Sequence, residues 1–253
     1  MKIKRISVLL TLMLAIGTFF SSLAFAEVQP QKNLVALGDS VTYGWHLAQY
    51  QPQPSTLAFP YLIESDHYTV TKDISYPGWT SKQLLDAIQI PENLKAIKKA
   101  NVVTVEIGYN DFFQTPEIAA LLKNPSGPWT SDQVNAAKNA ALKTAGNLGI
   151  NLFAIIETIK QVNPKATIIL YNLFDAFASG TPLNMFAEQI IPTVNQLVIT
   201  SVANTTGANV ADAYTAFNGH QTEYILPNDV HPNIKGHQIL AGLANDILEN
   251  LQQ

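Results

Sequence analysis

Short apolar runs rich in β-branched residues recur along the chain, and most are followed by a segment whose apolar positions have helical spacing. Near-continuous apolar runs of this length are typical of strands that are buried on both faces of a parallel sheet. Their alternation with helical patterns predicts a single α/β domain. The five predicted strands are Asn33–Gly38, Tyr68–Ser75, Asn101–Gly108, Ala166–Tyr171 and Ala208–Ala211.

The helical segments carry start and stop signals. A first helix, containing Leu84, is expected to end before Pro91, because proline breaks a helix interior. A capping box over Thr130–Gln133 predicts the start of a long helix that runs to about Val162. The segment Phe186–Val202 predicts another helix. The last helix begins near Lys235, and its apolar face comprises Ile239, Leu240, Leu243, Ala244, Ile247, Leu248 and Leu251.

The first 26 residues have the pattern of a signal peptide. A positive stretch ending at Arg5 precedes the apolar run Ile6–Phe20, and Ala24 and Ala26 form a cleavage site of the A-x-A type. An uncleaved anchor is the alternative, but the run is shorter than the roughly 20 residues of a membrane span. The sequence therefore predicts one catalytic domain over residues 27–253, exported by a bacterium to the cell envelope or medium, with no stable membrane span after cleavage.

Composition narrows the chemistry. The chain has 253 residues with 15 Lys+Arg against 19 Asp+Glu and no cysteine. The absence of cysteine excludes a disulfide framework, a thiolate nucleophile and a Cys-zinc site. The net charge of -4 argues against a nucleic-acid partner. Arg5 is the only arginine, so the exported chain has no guanidinium to bind phosphate in a bidentate manner. An uncharged or weakly charged substrate is favoured.

Three polar motifs stand next to predicted strand ends or before a helix. They are Gly38–Gly44 (Gly-Asp-Ser-Val-Thr-Tyr-Gly), Gly108–Asp111 (Gly-Tyr-Asn-Asp) and Asn228–Asn233 (Asn-Asp-Val-His-Pro-Asn). In a parallel sheet they converge on one edge. A serine needs a base such as histidine to act as a nucleophile, and glycine N–H groups or an Asn amide can stabilise an oxyanion. Taken alone, the first motif also fits a simple helix cap.

Together these motifs resemble the SGNH (GDSL-type) esterase/lipase family, over nearly the whole exported chain. The resemblance implies a three-layer α/β/α sandwich with five parallel strands. It implies that Ser40 is the nucleophile and, through its N–H group, one donor of the oxyanion hole. It further implies that Gly78 and Asn110 are the other two donors and that His231 is the base.

One position departs from the family pattern. The family usually places an orienting Asp three residues before the His, where this chain has Asn228, whereas Asp229 is only two residues before His231. Either the loop is adjusted so that Asp229 reaches His231, or Asn228 or a backbone carbonyl orients the imidazole of a Ser-His dyad. We favour Asp229, because a carboxylate stabilises the imidazolium and an amide does not.

The remaining histidines show no metal-ligand spacing, so we expect neither a metal nor a cofactor. Most of these histidines, which are His46, His67, His220 and His237, are predicted to be surface or loop residues, with His46 near the pocket of Ser40.

Two long connections, Trp45–Pro60 and Phe112–Trp129, follow the first two motifs and are predicted to be binding loops. The aromatic and apolar residues in or near the predicted active edge are Tyr43, Trp45, Trp79, Phe112, Phe113, Phe174, Phe177, Met185 and Phe186. They favour an apolar acyl pocket. The sequence therefore predicts a secreted serine esterase or lipase whose partner is a small-molecule or lipid ester. The alternatives are a carbohydrate or peptidoglycan O-acetylesterase and a non-catalytic envelope binding protein.

Overall fold

The computed structural model of the chain describes residues 31–64 and 66–251. The predicted signal peptide lies outside these residues, so the domain boundary after residue 26 stays a prediction. Across the two described ranges, no helix is both long enough and apolar enough to cross a membrane.

The core of the protein is one five-stranded, all-parallel sheet with the strand order β2-β1-β3-β4-β5. All five predicted strands are confirmed to within two residues at either end. The observed bounds are β1 Lys32–Gly38, β2 Tyr68–Ser75, β3 Val102–Glu106, β4 Thr167–Tyr171 and β5 Asn209–Ala211.

The apolar character of the central strands follows from burial on both faces. In β1, Leu34 and Ala36 pack into one core while Val35 and Leu37 pack into the other, as the two-residue repeat of a strand requires. The helices are α1 Ser40–Tyr43, α2 Ser81–Ile88, α3 Pro91–Ile97, α4 Tyr109–Phe113, α5 Pro116–Leu122, α6 Ser131–Val162, α7 Pro182–Ala187, α8 Ile191–Val194, α9 Thr200–Thr206, α10 Ala213–Phe217, α11 Gln221–Tyr224 and α12 Ile234–Asn250, with a 3₁₀ turn at Phe59–Leu62 and a π-helical segment at Asn195–Ile199.

Helices cover both faces of the sheet. Helices α2, α3, α6 and α9 contribute buried residues to the core that contains Val35, and the 3₁₀ turn, α10 and α12 contribute to the core that contains Leu34. This is the predicted three-layer α/β/α sandwich. The capping box at Thr130 is present, and Pro91 both follows the end of α2 and opens α3, because proline suits the first turn of a helix.

Two predicted segments differ in detail. Phe112–Trp129 is not one long loop, because α5 forms within it, starting at Pro116 and burying Ile118 and Leu121. The helix predicted over Phe186–Val202 begins earlier, at Pro182, and is interrupted before α8. Proline at each of the two helix starts explains the division. The second part continues through the π-helical segment to Thr206.

Candidate active site

The site lies where the sheet changes winding direction. Strand β1 is flanked by β2 on one side and β3 on the other, so the connections after β1 and after β2 run in opposite directions across the sheet. In open α/β sheets, ligands bind in the crevice at such a point, outside the carboxyl ends of the strands. Ser40 follows β1 and Asn110 follows β3, which places both residues at this crevice.

Ser40 is held in a tight turn between β1 and the four-residue helix α1. The Asp39 side chain caps this helix by accepting a hydrogen bond from the Val41 N–H at 3.0 Å. Gly38 has to be glycine here, because a Cβ would come within 2.4 Å of the Glu106 carbonyl oxygen on β3. Gly44 ends the helix with φ +69°, a conformation that suits glycine.

A chain of hydrogen bonds connects Ser40, His231 and Asp229. The Ser40 hydroxyl lies 2.9 Å from His231 Nε2, and His231 Nδ1 lies 2.5 Å from Asp229 Oδ1. Asn228 adopts φ +58°, which asparagine tolerates better than most residues, and this turn is the loop adjustment that lets an aspartate two residues before the histidine reach it. Of the alternatives left open by the sequence, the structure brings Asp229 to the imidazole.

The environment of Asp229 and His231 favours an ionised carboxylate beside a neutral imidazole. Burial opposes ionisation of Asp229, but hydrogen bonds from His46 and His231 outweigh it and lower the pKa of Asp229 to about 2. For His231, burial is the larger effect and lowers its pKa, although Asp229 acts in the opposite direction. A neutral His231 can accept the hydroxyl proton of Ser40.

Two further predicted residues line the same cavity. Ser40, Gly78, Asn110 and His231 all border a cavity of about 180 Å³, together with Trp45 and other residues. Gly78 has φ +88°, and a Cβ on it would meet nothing within 4 Å, so its glycine is explained by backbone conformation. The structure therefore brings together all the site residues predicted from the sequence, since Asp229 stands directly behind His231.

Polar side chains that the sequence does not single out tie together the segments that contain Gly78 and Asn110. Asp111 accepts hydrogen bonds from the Ser81 N–H at 2.8 Å and from the Ser81 hydroxyl at 2.5 Å, and Asn151 donates to the same hydroxyl. Gln114 donates to the Gly78 carbonyl oxygen at 2.8 Å. The connection after β2 and the helix after β3 are thus tied together. The position of Asp111 beside Asn110 in the motif Gly108–Asp111 was the available signal.

A buried pair of acids lies beneath Ser40. Asp39 and Glu106 are nearly inaccessible to solvent, and their side chains are hydrogen-bonded to each other. Burial raises the pKa of Asp39 to about 7 and, together with the charge of Asp39, raises that of Glu106 well above its usual value. Asn110 Nδ2 donates to Asp39 Oδ2 at 3.2 Å. The only sequence signal was one glutamate at the end of a mostly apolar third strand.

The other histidines divide into three kinds. His67 and His220 are exposed, as predicted. The surface prediction is wrong for His237, which is fully buried on α12, where its Nδ1 accepts the Phe59 N–H and burial lowers its pKa to about 3. His46 bonds to Asp229, with 2.6 Å between Nδ1 and Oδ2.

His46 also bears on the question of a metal. Together with Asp229 and His231 it forms a group of side chains that could ligate a metal, and their ligand atoms lie within 4.8 Å of one another. Hydrogen bonds from both histidines already occupy the two oxygens of Asp229.

A second, apolar cavity adjoins the cavity of Ser40. Tyr109 and Phe113 belong to the walls of both. The residues that line the second cavity are Tyr109, Phe112, Phe113, Ile118, Leu121, Leu122, Leu173, Phe177, Leu183, Phe186, Ala187, Ile190, Ile191 and Val194. Several predicted pocket aromatics are therefore present, whereas Phe174 is buried in the core containing Leu34 and Met185 is exposed.

Comparison with known proteins identifies the family. The family model of the GDSL-like lipase/acylhydrolases matches residues 36–239. The spore germination lipase LipC of Bacillus licheniformis is 23% identical over 212 residues, which cover 81% of this chain and 91% of LipC.

Two solved structures share the fold. The lipase Lip_vut3 from a goat rumen metagenome has a TM-score of 0.67 at 21% identity, covering 85% of this chain and 97% of that one. The extracellular lipase of Streptomyces rimosus has a TM-score of 0.64 at 19% identity, covering 85% and 99%. Since the family model spans most of the chain, including Ser40, Asn110 and His231, the protein belongs to the GDSL-like lipase/acylhydrolase family and is a carboxylic ester hydrolase.

Proposed function

We propose that the protein is a secreted serine esterase or lipase that cleaves esters with a hydrophobic acyl or alcohol part through a Ser40–His231–Asp229 mechanism. The observation that carries the proposal is the continuous hydrogen-bond chain from the Ser40 hydroxyl through His231 to Asp229, at 2.9 and 2.5 Å. It opens onto the cavity that Gly78 and Asn110 also line.

The reaction proceeds in two steps. Ser40 Oγ attacks the ester carbonyl carbon while His231 Nε2 takes the hydroxyl proton, and Asp229 stabilises the imidazolium. The N–H groups of Ser40 and Gly78 and the Asn110 amide donate to the oxyanion. When the intermediate collapses, the carbon–oxygen bond to the alcohol breaks and His231 returns the proton to the alcohol oxygen. Water then attacks the acyl-Ser40 ester with the same assistance.

The two adjoining cavities support a hydrophobic substrate. The cavity at Ser40, about 180 Å³, is smaller than the roughly 300 Å³ at which ligand pockets usually begin, so by itself it suits the ester group and a short acyl chain. A longer chain can continue past Tyr109 and Phe113 into the apolar cavity. The small first cavity is also the observation that keeps an O-acetylesterase as the second candidate.

Secretion belongs to the proposal as well. It is supported by the signal-peptide pattern of residues 1–26 and by the likeness to an extracellular lipase of Streptomyces rimosus. Fractionation of cells that express the full chain tests it: we expect activity in the medium or envelope and an N-terminus at Glu27. If the active protein still began at Met1, the predicted cleavage would be wrong.

The catalytic proposal is tested with p-nitrophenyl esters from acetyl through butyryl and octanoyl to palmitoyl, in the presence of EDTA. We expect turnover with a maximum beyond acetyl, and its loss in Ser40→Ala. Full turnover by Ser40→Ala would overturn the mechanism. A maximum at acetyl, with cleavage of acetylated glycans, would instead support the O-acetylesterase.

The acyl pocket has its own variant. Ala187 is buried and lines the apolar cavity, whose volume is about 60 Å³, so Ala187→Val fills much of that space without touching Ser40. We expect kcat/KM for the octanoyl ester to fall by about 10-fold or more, within the range by which hydrophobic pockets discriminate chain length, with the acetyl ester unchanged. The acetyl rate is the control for folding. If kcat/KM fell equally for both esters, the acyl chain would not bind in the apolar cavity.

A further inference from the structure

Asp229 is held at both of its carboxylate oxygens. Oδ1 accepts from His231 Nδ1 and from the backbone N–H groups of Val230 and His231, at 2.5, 2.6 and 3.2 Å. Oδ2 lies 2.6 Å from His46 Nδ1, on a segment 183 residues away in sequence. Because an ionised carboxylate only accepts hydrogen bonds, His46 Nδ1–H is the donor. A second imidazole thus stands behind the carboxylate that orients the first.

The geometry that brings His46 to this position is specific. The helix of Ser40 ends at Gly44, and His46, two residues later, has φ +68°, a left-handed conformation that is unfavourable for a residue with a Cβ. Its ring packs edge-on against His231 at 5.0 Å between centroids and tilts against Trp45 at 5.3 Å. The strained backbone is retained in a conformation that delivers the Nδ1–H to Asp229.

We infer that His46 is a positioning residue for the reaction: it fixes the Oδ2 side of Asp229 so that Oδ1 stays aligned with His231. This inference rests on the proposed roles of Ser40, His231 and Asp229. Without a donor at Oδ2, the carboxylate is held through Oδ1 alone, and it can rotate more easily about its Cβ–Cγ bond. In this chain the aspartate is one residue closer to the histidine than in the family pattern. His46, in the loop after α1, supplies the hydrogen bond to the second oxygen of that aspartate.

Partial burial makes this anchor effective. The Asp229 side chain is 19% exposed, so a hydrogen bond there is less weakened by water than one at a fully exposed site, whereas His46 is 50% exposed and tolerates substitution. The hydrogen bond from His46 is, with that from His231, one of those that lower the pKa of Asp229. A carboxylate that stays ionised and aligned is what the imidazolium of His231 requires.

Three substitutions separate the donor from the ring and from the backbone. His46→Phe keeps a ring against His231 and Trp45 but removes the donor. His46→Asn places an amide N–H near the position of Nδ1 and tolerates a positive φ. His46→Gly relieves the backbone and also lacks the donor. His220→Phe is the matched control, because His220 also bonds a carboxylate, Glu223, and does not line the cavity of Ser40.

The measurements are kcat and KM on the best p-nitrophenyl ester, with full-length wild type and Ser40→Ala alongside. We expect His46→Phe and His46→Gly to lose about 10- to 100-fold in kcat, the scale of a displaced catalytic group, with KM unchanged. His46→Asn should recover most of the loss, and His220→Phe should match wild type.

Proton NMR provides a readout that a merely structural role would not move. The Nδ1–H of His231, hydrogen-bonded to Asp229, should give a far-downfield resonance that weakens in His46→Phe and persists in His46→Asn. Wild-type kcat in His46→Phe, or a loss in His46→Asn equal to that in His46→Phe, would overturn the inference. Turnover that survives Ser40→Ala would instead overturn the proposed function, so the two failures are distinguishable.

Discussion

Asp39 and Asp229 are the same residue type and lie within two residues of a proposed reacting group, but their pKa values are shifted in opposite directions. Asp39 precedes Ser40, and burial raises its pKa to about 7. Asp229 lies two residues before His231, and there the hydrogen bonds from His46 and His231 outweigh burial and lower its pKa to about 2. Environment alone separates them.

The difference lies in what each carboxyl group faces. Asp39 is completely buried and has a second acid, Glu106, as a neighbour. Hydrogen bonds from the Val41 N–H and the Asn110 amide favour its ionised form, but they do not outweigh burial. Asp229 is partly exposed and accepts hydrogen bonds from two imidazoles. Burial outweighs the donors of Asp39 and raises its pKa, whereas Asp229, which accepts from two imidazoles, stays charged.

The contrast matches two different needs of ester hydrolysis. The imidazolium of His231 is stabilised by a full negative charge, which Asp229 supplies. Near the oxyanion a full negative charge would oppose the reaction, since like charges repel. Asp39 can hold Asn110 in place there with less charge than an ordinary carboxylate, because burial raises its pKa to about 7. Each aspartate positions a neighbour, but only one of them has to be ionised.

The largest expected effect comes from removing the charge of Asp229. Asp229→Asn keeps the size of the side chain but cannot stabilise the imidazolium, and we expect kcat to fall by about 10⁴-fold. Steady-state kinetics on a p-nitrophenyl ester measure it. Asp212→Asn is the control. Burial opposes ionisation of Asp212 as well, and hydrogen bonds again outweigh it and lower the pKa. Asp212 does not line the cavity of Ser40. A loss of less than 10-fold in Asp229→Asn would favour the Ser-His dyad.

Removing Asn110 tests the other half of the comparison. Asn110→Ala deletes one oxyanion donor, and we expect kcat to fall by about 10²- to 10³-fold with little change in KM. A second buried Asn–Asp pair offers a matched control: Asn184 Nδ2 donates to Asp175 Oδ2 at 2.7 Å, and the pKa of Asp175 is raised by burial to about 6. Asn184→Ala breaks an equivalent bond away from Ser40. Equal losses in both variants would mean that Asn110 acts through stability alone.

The sequence predicted the frame of the site because its signals are local. A buried strand in a parallel sheet is recognisable from an unbroken apolar run, and the residues after such strands converge by topology. Ser40, Asn110 and His231 were found in this way together with the family resemblance. The capping box at Thr130 likewise predicted the helix start at Ser131, and Pro91 predicted the end of α2.

What the sequence did not predict depends on contacts between distant segments. His46 is one histidine in a loop, and its bond to Asp229 requires positive φ angles at both His46 and Asn228, which no local pattern indicates. His237 lies on the buried face of an amphipathic helix, where its Nδ1 serves as an acceptor for Phe59. The pairing of Glu106 with Asp39 needs the register between β1 and β3, which places Gly38 opposite Glu106.

The smallest expected effect concerns stability. Burial raises the pKa of both Asp39 and Glu106, so above about pH 5 the native state binds protons that the unfolded chain, with ordinary carboxyl groups, has released. Each such proton makes the free energy of unfolding fall as pH rises, by at most about 1.4 kcal/mol per pH unit, until the native pKa is passed.

Glu106→Gln retains an N–H donor for Asp39 and removes one of the two titrating acids. We therefore expect urea unfolding between pH 5 and pH 8 to give a shallower decline of stability with pH in this variant than in wild type. Glu92→Gln, at an exposed glutamate, should leave the wild-type slope unchanged. If Glu106→Gln had the same slope as wild type, Glu106 would be ionised in the native protein. Asp39 would then lie beside a second full negative charge, which would contradict the raised pKa of Glu106.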